Sequence, residues 1–185
     1  MNYLQEVGIV AGVILVWGIY TYNRFVSAGR HVNEAWSGVS VQMKRRHDLI
    51  PNLVETVKGY ARHEQGLFED IARLRAGVAE DGAPSRETVR GESALGGVLG
   101  RLMAVAEAYP ELKASENFVS LQGALAEVEE QMQLARRYYN GTVRSYVILL
   151  ESFPSLIVGK LGGFKPFPFF ELENDAEKAV PTVGF

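Results

Sequence analysis

The chain opens on residues 7–23, VGIVAGVILVWGIYTYN, seventeen positions without a charge, bracketed by Glu6 and Arg24. As a helix this stretch is about 25 Å long, at the short end of what spans a bilayer. Tyr3 precedes it and Trp17, Tyr20 and Tyr22 occupy its last turns, where amphipathic rings favour the headgroup level. Beyond Arg24 the pattern changes to a seam of alternating three- and four-residue steps. It runs Phe25, Gly29, Val32, Trp36, Val39, Met43, Arg46, Ile50, Leu53, Val57, Tyr60, Glu64, Leu67, Ile71, Leu74 and Val78, and thirteen of the sixteen are apolar or aromatic. Such spacing predicts a long helix packed on other helices. Because the spacing passes Pro51 without a slip, the reading is one helix kinked at Pro51 and continuing to about Ala79, with a two-helix break at Pro51 as the alternative.

Residues 80–91, EDGAPSRETVRG, have the Gly, Pro, Asp and Ser content of a loop. Helix resumes near Ser85 or Arg86 with Val89, Leu95, Val98, Leu99, Leu102, Val105 and Tyr109 on one side, and stops before Pro110. Ser115 or Asn117 can cap a last long helix whose seam is Phe118, Leu121, Leu125, Val128, Met132, Ala135, Tyr139, Thr142, Tyr146, Leu149 and Phe153. That seam runs through Asn140-Gly141, so this ordinarily turn-forming pair stays helical, Gly141 costing about 1 kcal/mol against alanine. Pro154 ends the helix. The remainder lacks regular pattern yet carries Phe164, Phe167, Phe169, Phe170 and Phe185, an exposed apolar patch unless it packs on the bundle, lies on the membrane or meets another chain.

The expected fold class is therefore all-α, a single membrane helix continuing into an antiparallel bundle of long coiled-coil-like helices. The divisions are an anchor over residues 1–23, a bundle over 24–153 and a Phe-rich tail over 154–185. The apolar stretch lacks the marks of a cleaved signal, since the first basic residue comes after it and no A-x-A-like site follows. An all-round apolar helix is also hard for a small core to enclose. Arg24 and Arg30 follow the span and no Lys or Arg precedes it, which by the positive-inside rule places the N-terminus outside and the bundle in the cytoplasm.

Composition narrows the partners. Net charge is −3 and the pI about 5.7, so no bulk electrostatic attraction to nucleic acid or to anionic lipid is implied. Cysteine is absent, which fits a reducing compartment and others equally well. The run Lys44, Arg45, Arg46, His47 is a basic cluster, but Lys44 lies about 30 Å along the helix from Asn23, several Debye lengths from a headgroup. Arg46 and Glu64 both fall on the seam, where polar residues specify register and pairing. His31, His47 and His63 recur every sixteen residues, which turns successive rings to nearly opposite faces of one helix and gives no metal site. No cysteine nucleophile, G-x-S-x-G, Walker loop or dinucleotide fingerprint is present, so neither enzyme nor cofactor is expected. Gly8 and Gly12 form a GxxxG within the span, a possible membrane-helix contact in a chain type where Gly is common anyway.

Several segments together resemble the LemA family of bacterial membrane proteins. They are Tyr22-Asn23-Arg24, Val32-Asn33-Glu34-Ala35-Trp36-Ser37 and the run VQMKRRHDLIPNLVETVKGY over residues 41–60. The second half adds Asn117-Phe118, Leu121-Gln122, Ala135-Arg136-Arg137-Tyr138-Tyr139-Asn140, Phe153-Pro154-Ser155 and Phe169-Phe170-Glu171. Val147 and Leu156 stand where the family often has Asn. The resemblance implies a membrane-anchored helical bundle without established enzymatic activity, some relatives of which are linked to building or remodelling internal membranes. The expected function is a non-catalytic, homo-oligomeric scaffold that organises the bacterial inner membrane. Its partners would be the bilayer, itself and another membrane protein, with the Phe cluster of the tail as a contact. An adaptor for a membrane protease or other membrane protein is the alternative, and an enzyme with an unrecognised site the third reading.

Overall fold

The computed structural model describes residues 3–77 and 83–170, and the described residues are all-helical, without strands. Six helices follow in order: α1 (Tyr3–Lys58), α2 (Gln65–Gly77), α3 (Arg86–Glu107), α4 (Pro110–Lys113), α5 (Glu116–Glu151) and α6 (Ser155–Leu161). They divide into two compact units, one from Met1–Gln42 with Glu130–Phe169, the other from Met43–Glu129 with Phe170–Phe185.

The second of these is an up-down-up-down bundle. Its core joins Ile50, Leu53 and Val57 of α1, Leu67, Phe68 and Ile71 of α2, Leu95, Leu99 and Leu102 of α3, Leu112 of α4 and Phe118 and Leu125 of α5. The expected continuation of the first helix to Ala79 is corrected here. Pro51 lies inside α1, and the chain reverses eight residues later, after Lys58. Residues 59–64 make a compact connection in which the amides of Tyr60 and Ala61 both donate to the Val57 carbonyl, at 3.0 and 2.9 Å. Lys58 then sits over the Phe68 ring, 5.2 Å from its centroid, while Arg75 Nε donates to the His47 carbonyl at 3.2 Å, so α2 runs back along α1. The seam's spacing continues through this reversal, but its member in the turn, Tyr60, is exposed, and the neighbouring Ala61 takes the inward place. Ala61 has no exposed surface, and both helices face the same core. Val78 and Ala79 lie outside the described residues.

The later boundaries follow local chemistry. Ser85 caps α3, its side chain accepting from the Thr88 amide at 3.0 Å. Pro110 takes the first position of α4, where the missing amide is no loss. α5 passes through Asn140-Gly141 without a break and stops at Glu151, before Pro154.

In the first unit α1 and α5 run antiparallel, with Trp36 against Tyr139 at 5.2 Å and Phe25 against Tyr146 at 6.2 Å between ring centroids. The turn after α5 is fastened by Ser155, whose hydroxyl lies 2.7 Å from the Leu149 carbonyl and 2.8 Å from that of Ser152. α6 and residues 163–169 then lie along this helix pair. Phe164 stacks on Phe25 at 4.8 Å and tilts against Tyr22 at 5.3 Å, and Phe167 meets Tyr146 edge-on at 5.1 Å. The Tyr139 hydroxyl donates to the Pro168 carbonyl at 2.7 Å. Burial pushes the Tyr139 phenol well above its ordinary pKa, so it remains a donor. Phe169 is half-buried and Phe170 buried. The described part of the Phe-rich segment thus packs on its own chain, while Phe185 lies outside the described residues.

Before Trp17, α1 has almost nothing against it. Ile9, Val10, Val13, Ile14, Leu15, Val16 and Ile19 are all more than half exposed, and only 11% of the apolar window is buried. This is no core helix. It is long and apolar enough to cross a membrane, and in water it would be a large unpaired apolar surface.

Close approach at Gly159 sets how α6 sits. A Cβ there would lie 3.0 Å from Phe25 Cζ and 3.2 Å from Leu150 Cδ2. Gly159→Val should therefore cost about 1–3 kcal/mol, the usual range for overpacking. Thermal unfolding of the detergent-solubilised chain checks this, and an unchanged midpoint would contradict the close packing.

Candidate functional site

The basic run on α1 divides as a helix must. Lys44 and Arg45 face solvent, and Arg46 and His47 face the core, each without exposed surface. A guanidinium with no exposed surface needs acceptors, and the bundle supplies them from two other helices. Arg46 Nη2 forms a buried ion pair with Glu92 of α3 and also donates to the Glu92 backbone carbonyl at 3.0 Å. Arg46 Nη1 donates to Glu129 Oε1 of α5 at 2.9 Å. His47 Nε2 lies 2.7 Å from the other Glu92 carboxylate oxygen, Oε1. Glu92 has no exposed side-chain surface, whereas the Glu129 side chain is 36% exposed.

Burial pushes the Glu92 carboxyl upward, but the His47 hydrogen bond, the Arg46 charge and the remaining contacts with both outweigh it. The net result is a pKa below the ordinary 4.5. Glu92 is accordingly an anion at neutral pH. Gly96, one turn further along α3, makes room for the guanidinium, since a Cβ there would meet Arg46 Nη1 at 3.4 Å. The arrangement neutralises charge internally and links α1 to α3 and α5.

Of the two polar seam residues, Arg46 is in this cluster and Glu64 is not. Glu64 belongs to the connection between α1 and α2, where its carbonyl accepts from the amides of Leu67 and Phe68. Sequence reasoning missed Glu92 and Glu129, although a signal existed. Glu92 stands three residues after Val89 and three before Leu95 on the apolar side of α3, and Glu129 three before Met132 beside the α5 seam. An acid at such a position calls for a buried cation, and Arg46 was available. The other histidines are apart from the cluster: His31 is exposed, 3.5 Å from Glu34, and His63 is exposed in the turn after α1. Among the described residues no group of three or more His, Asp or Glu side chains is placed to hold a metal ion. Gly8 and Gly12 lie on the exposed part of α1 with open space where a Cβ would be. Phe164, Phe167, Phe169 and Phe170 are held within the chain as described above.

The family model for LemA matches residues 35–185, from the aromatic core residues of α1 through every element of the bundle. The chain belongs to the LemA family. Among curated proteins it is similar to magnetosome protein MamQ of Magnetospirillum gryphiswaldense, 22% identical over 87% of this chain and 68% of that protein. It is likewise similar to magnetosome protein MamQ 2 of Paramagnetospirillum magneticum, 26% identical with the same coverage. Protein LemA of Metamycoplasma hominis is 23% identical over 72% of this chain and 64% of its own length. A membrane-associated protein of the LemA family is what the family match and the apolar helix together support. The match to the family model includes Arg46, His47, Glu92 and Glu129.

Removing one partner from a buried ion pair strands the other. Arg46→Met alone should lower stability by about 3–5 kcal/mol, whereas Arg46→Met combined with Glu92→Met should recover most of that loss. A double-mutant cycle from denaturant melts in detergent measures the coupling, and additive losses would show the pair to be uncoupled. The pH dependence has a definite sign. A carboxylate whose folded pKa is depressed contributes stability above its unfolded value, here 4.5, and loses that contribution as pH falls through the lower folded value. The wild-type melting temperature should therefore fall more steeply below about pH 4.5 than that of Glu92→Gln. Parallel acid limbs would overturn this role for Glu92.

Proposed function

We propose that this LemA-family chain is a non-catalytic, homo-oligomeric scaffold anchored by α1 in the bacterial inner membrane, with its bundle in the cytoplasm, where it organises the membrane. The observation that carries the self-association is a second seam on α5. While Met132, Tyr139, Val143, Tyr146 and Leu149 face inward, Leu134, Tyr138, Gly141, Ser145 and Ile148 are all exposed at heptad spacing. Apolar or aromatic residues stand at both ends and small ones in the middle. That pattern lets a second helix approach closely over Gly141 and Ser145 while burying Leu134, Tyr138 and Ile148. A helix that already has a core on one side has no intrachain need for such a seam.

Three further features support the reading. The buried polar groups Arg46 and His47 both engage Glu92, which is structural rather than catalytic chemistry. Arg24 and Arg30 follow the span without basic residues before it, consistent with a cytoplasmic bundle. Relatives named as magnetosome proteins fit a role at an internal membrane of a bacterium.

The mass of the solubilised full-length chain, by light scattering corrected for detergent, tests this. A stable oligomer is expected at micromolar concentration, and Tyr138→Glu should weaken it by about tenfold or more, as loss of an aromatic anchor does at an interface centre. A strict monomer would overturn the scaffold reading and leave the α5 seam for a different membrane protein, such as a protease that the chain serves as adaptor.

A further inference from the structure

The turn into α6 carries an apolar edge that the core does not use. Phe153 is 79% exposed, and Ile157 and Leu161, one helical turn apart, are 44% and 85% exposed. On the opposite side of α6, Ser155 and Gly159 are buried, Gly159 against Phe25. The edge is therefore held in a fixed direction, away from the α1–α5 pair. Three large apolar side chains at one place are a poor surface to leave in water.

Their position relative to α1 indicates what covers them. Phe153 and Pro154 line a cleft with Trp17, Tyr20 and Arg24 of α1, the residues at the end of the apolar stretch. Phe164, just beyond α6, packs on Tyr22 and Phe25. Phe25 is about 3 Å along the helix axis past Asn23, where the uncharged run ends, and the headgroup layer on each side of a bilayer is about 5–8 Å deep. α6 is thus at the level of the headgroups if α1 crosses the membrane. The charges around the edge match that setting. Arg24, Lys160 and Lys165 are exposed there, against Glu151 as the one exposed acid on the last turn of α5. Exposed apolar residues with adjoining lysines are the makings of an interfacial anchor on anionic lipid.

We infer that Phe153, Ile157 and Leu161 dock into the headgroup–acyl boundary of an anionic bilayer beside the α1 span, with Lys160 and Lys165 at the lipid phosphates. The chain would then hold the membrane at two points, a span and a lateral foot, joined through Phe25, Gly159 and Phe164. This rests on the reading that α1 spans the membrane.

The absence of cysteine makes site-specific labelling direct. The full-length chain is reconstituted into phosphatidylcholine vesicles with or without phosphatidylglycerol. It carries one environment-sensitive fluorophore at Leu161→Cys, at Val13→Cys within the span, or at Glu127→Cys on an exposed position of α5. Lipids bearing a nitroxide near the headgroup end of the acyl chain should quench the Leu161 label severalfold more than the Glu127 label. Its emission should shift to the blue, and the quenching should rise with phosphatidylglycerol. Lys160→Gln with Lys165→Gln should remove that rise. Quenching at Leu161 no greater than at Glu127 would overturn the inference, as would a blue shift without nitroxide quenching, which signifies a protein partner over the edge. Equal quenching in both lipid compositions would overturn the requirement for an anionic surface. The Val13 label separates the two readings. If a deep nitroxide fails to quench it, the span itself is refuted, whereas deep quenching at Val13 with none at Leu161 refutes the lateral foot alone.

Discussion

A guanidinium placed where water cannot reach it imposes conditions on everything around it, because an uncompensated buried charge costs several kcal/mol. Arg46 is in that position. Its charge is met by Glu92 from α3 and Glu129 from α5, and Glu92 in turn is shared with His47. Hydrophobic contacts between helices tolerate small shifts along the axis, since one leucine replaces another at modest loss. A fork of N–H donors between two carboxylates does not. In the bundle of residues 43–129 the apolar seams therefore supply most of the driving force, and the Arg46 cluster bridges α1, α3 and α5. The short reversal at residues 59–64 fits the same frame, since it brings α2 back along α1 with Arg75 reaching the His47 carbonyl.

The unit that contains the apolar stretch solves a different problem. Two antiparallel helices cannot enclose a core, and here the C-terminal segment is the third member. Phe164, Phe167 and the Pro168 carbonyl fill the line of Phe25, Tyr146 and Tyr139. That leaves two apolar surfaces outside the unit, the first part of α1 and the edge of α6, both near the place where α1 would leave a bilayer. The exposed α5 seam is a third surface, of helix-pairing character. On the proposed function, lipid would cover the first two and a second copy the third.

Some of this was legible from residues alone. The long apolar stretch, the last helix running through Asn140-Gly141, the start of α3 at Ser85 and its stop before Pro110 all follow from chemistry within one or two turns of chain. The inward identity of Arg46 followed from its seam position too. Its partners did not, because seam position marks a residue as inward without naming the acid on another helix that meets it. The reversal after Lys58 was equally hidden. Periodicity reports which residues face the core, and it reads alike for a helix that continues and for one that doubles back onto the same core through a turn with a buried Ala61. The fate of the Phe-rich segment was undetermined for a related reason, since aromatic content demands burial without naming the surface.

The sequence by itself determined the apolar span, the helical class, the inward faces of the long helices and the membership of the LemA family, because each is written in local spacing or in residue identity. Only the tertiary structure decided which acid answers Arg46, where α1 ends, how the phenylalanines are buried and which apolar residues remain outside. Those are pairings between positions 46 and 92, 25 and 164, or 139 and 168, and no periodicity within a single helix encodes them.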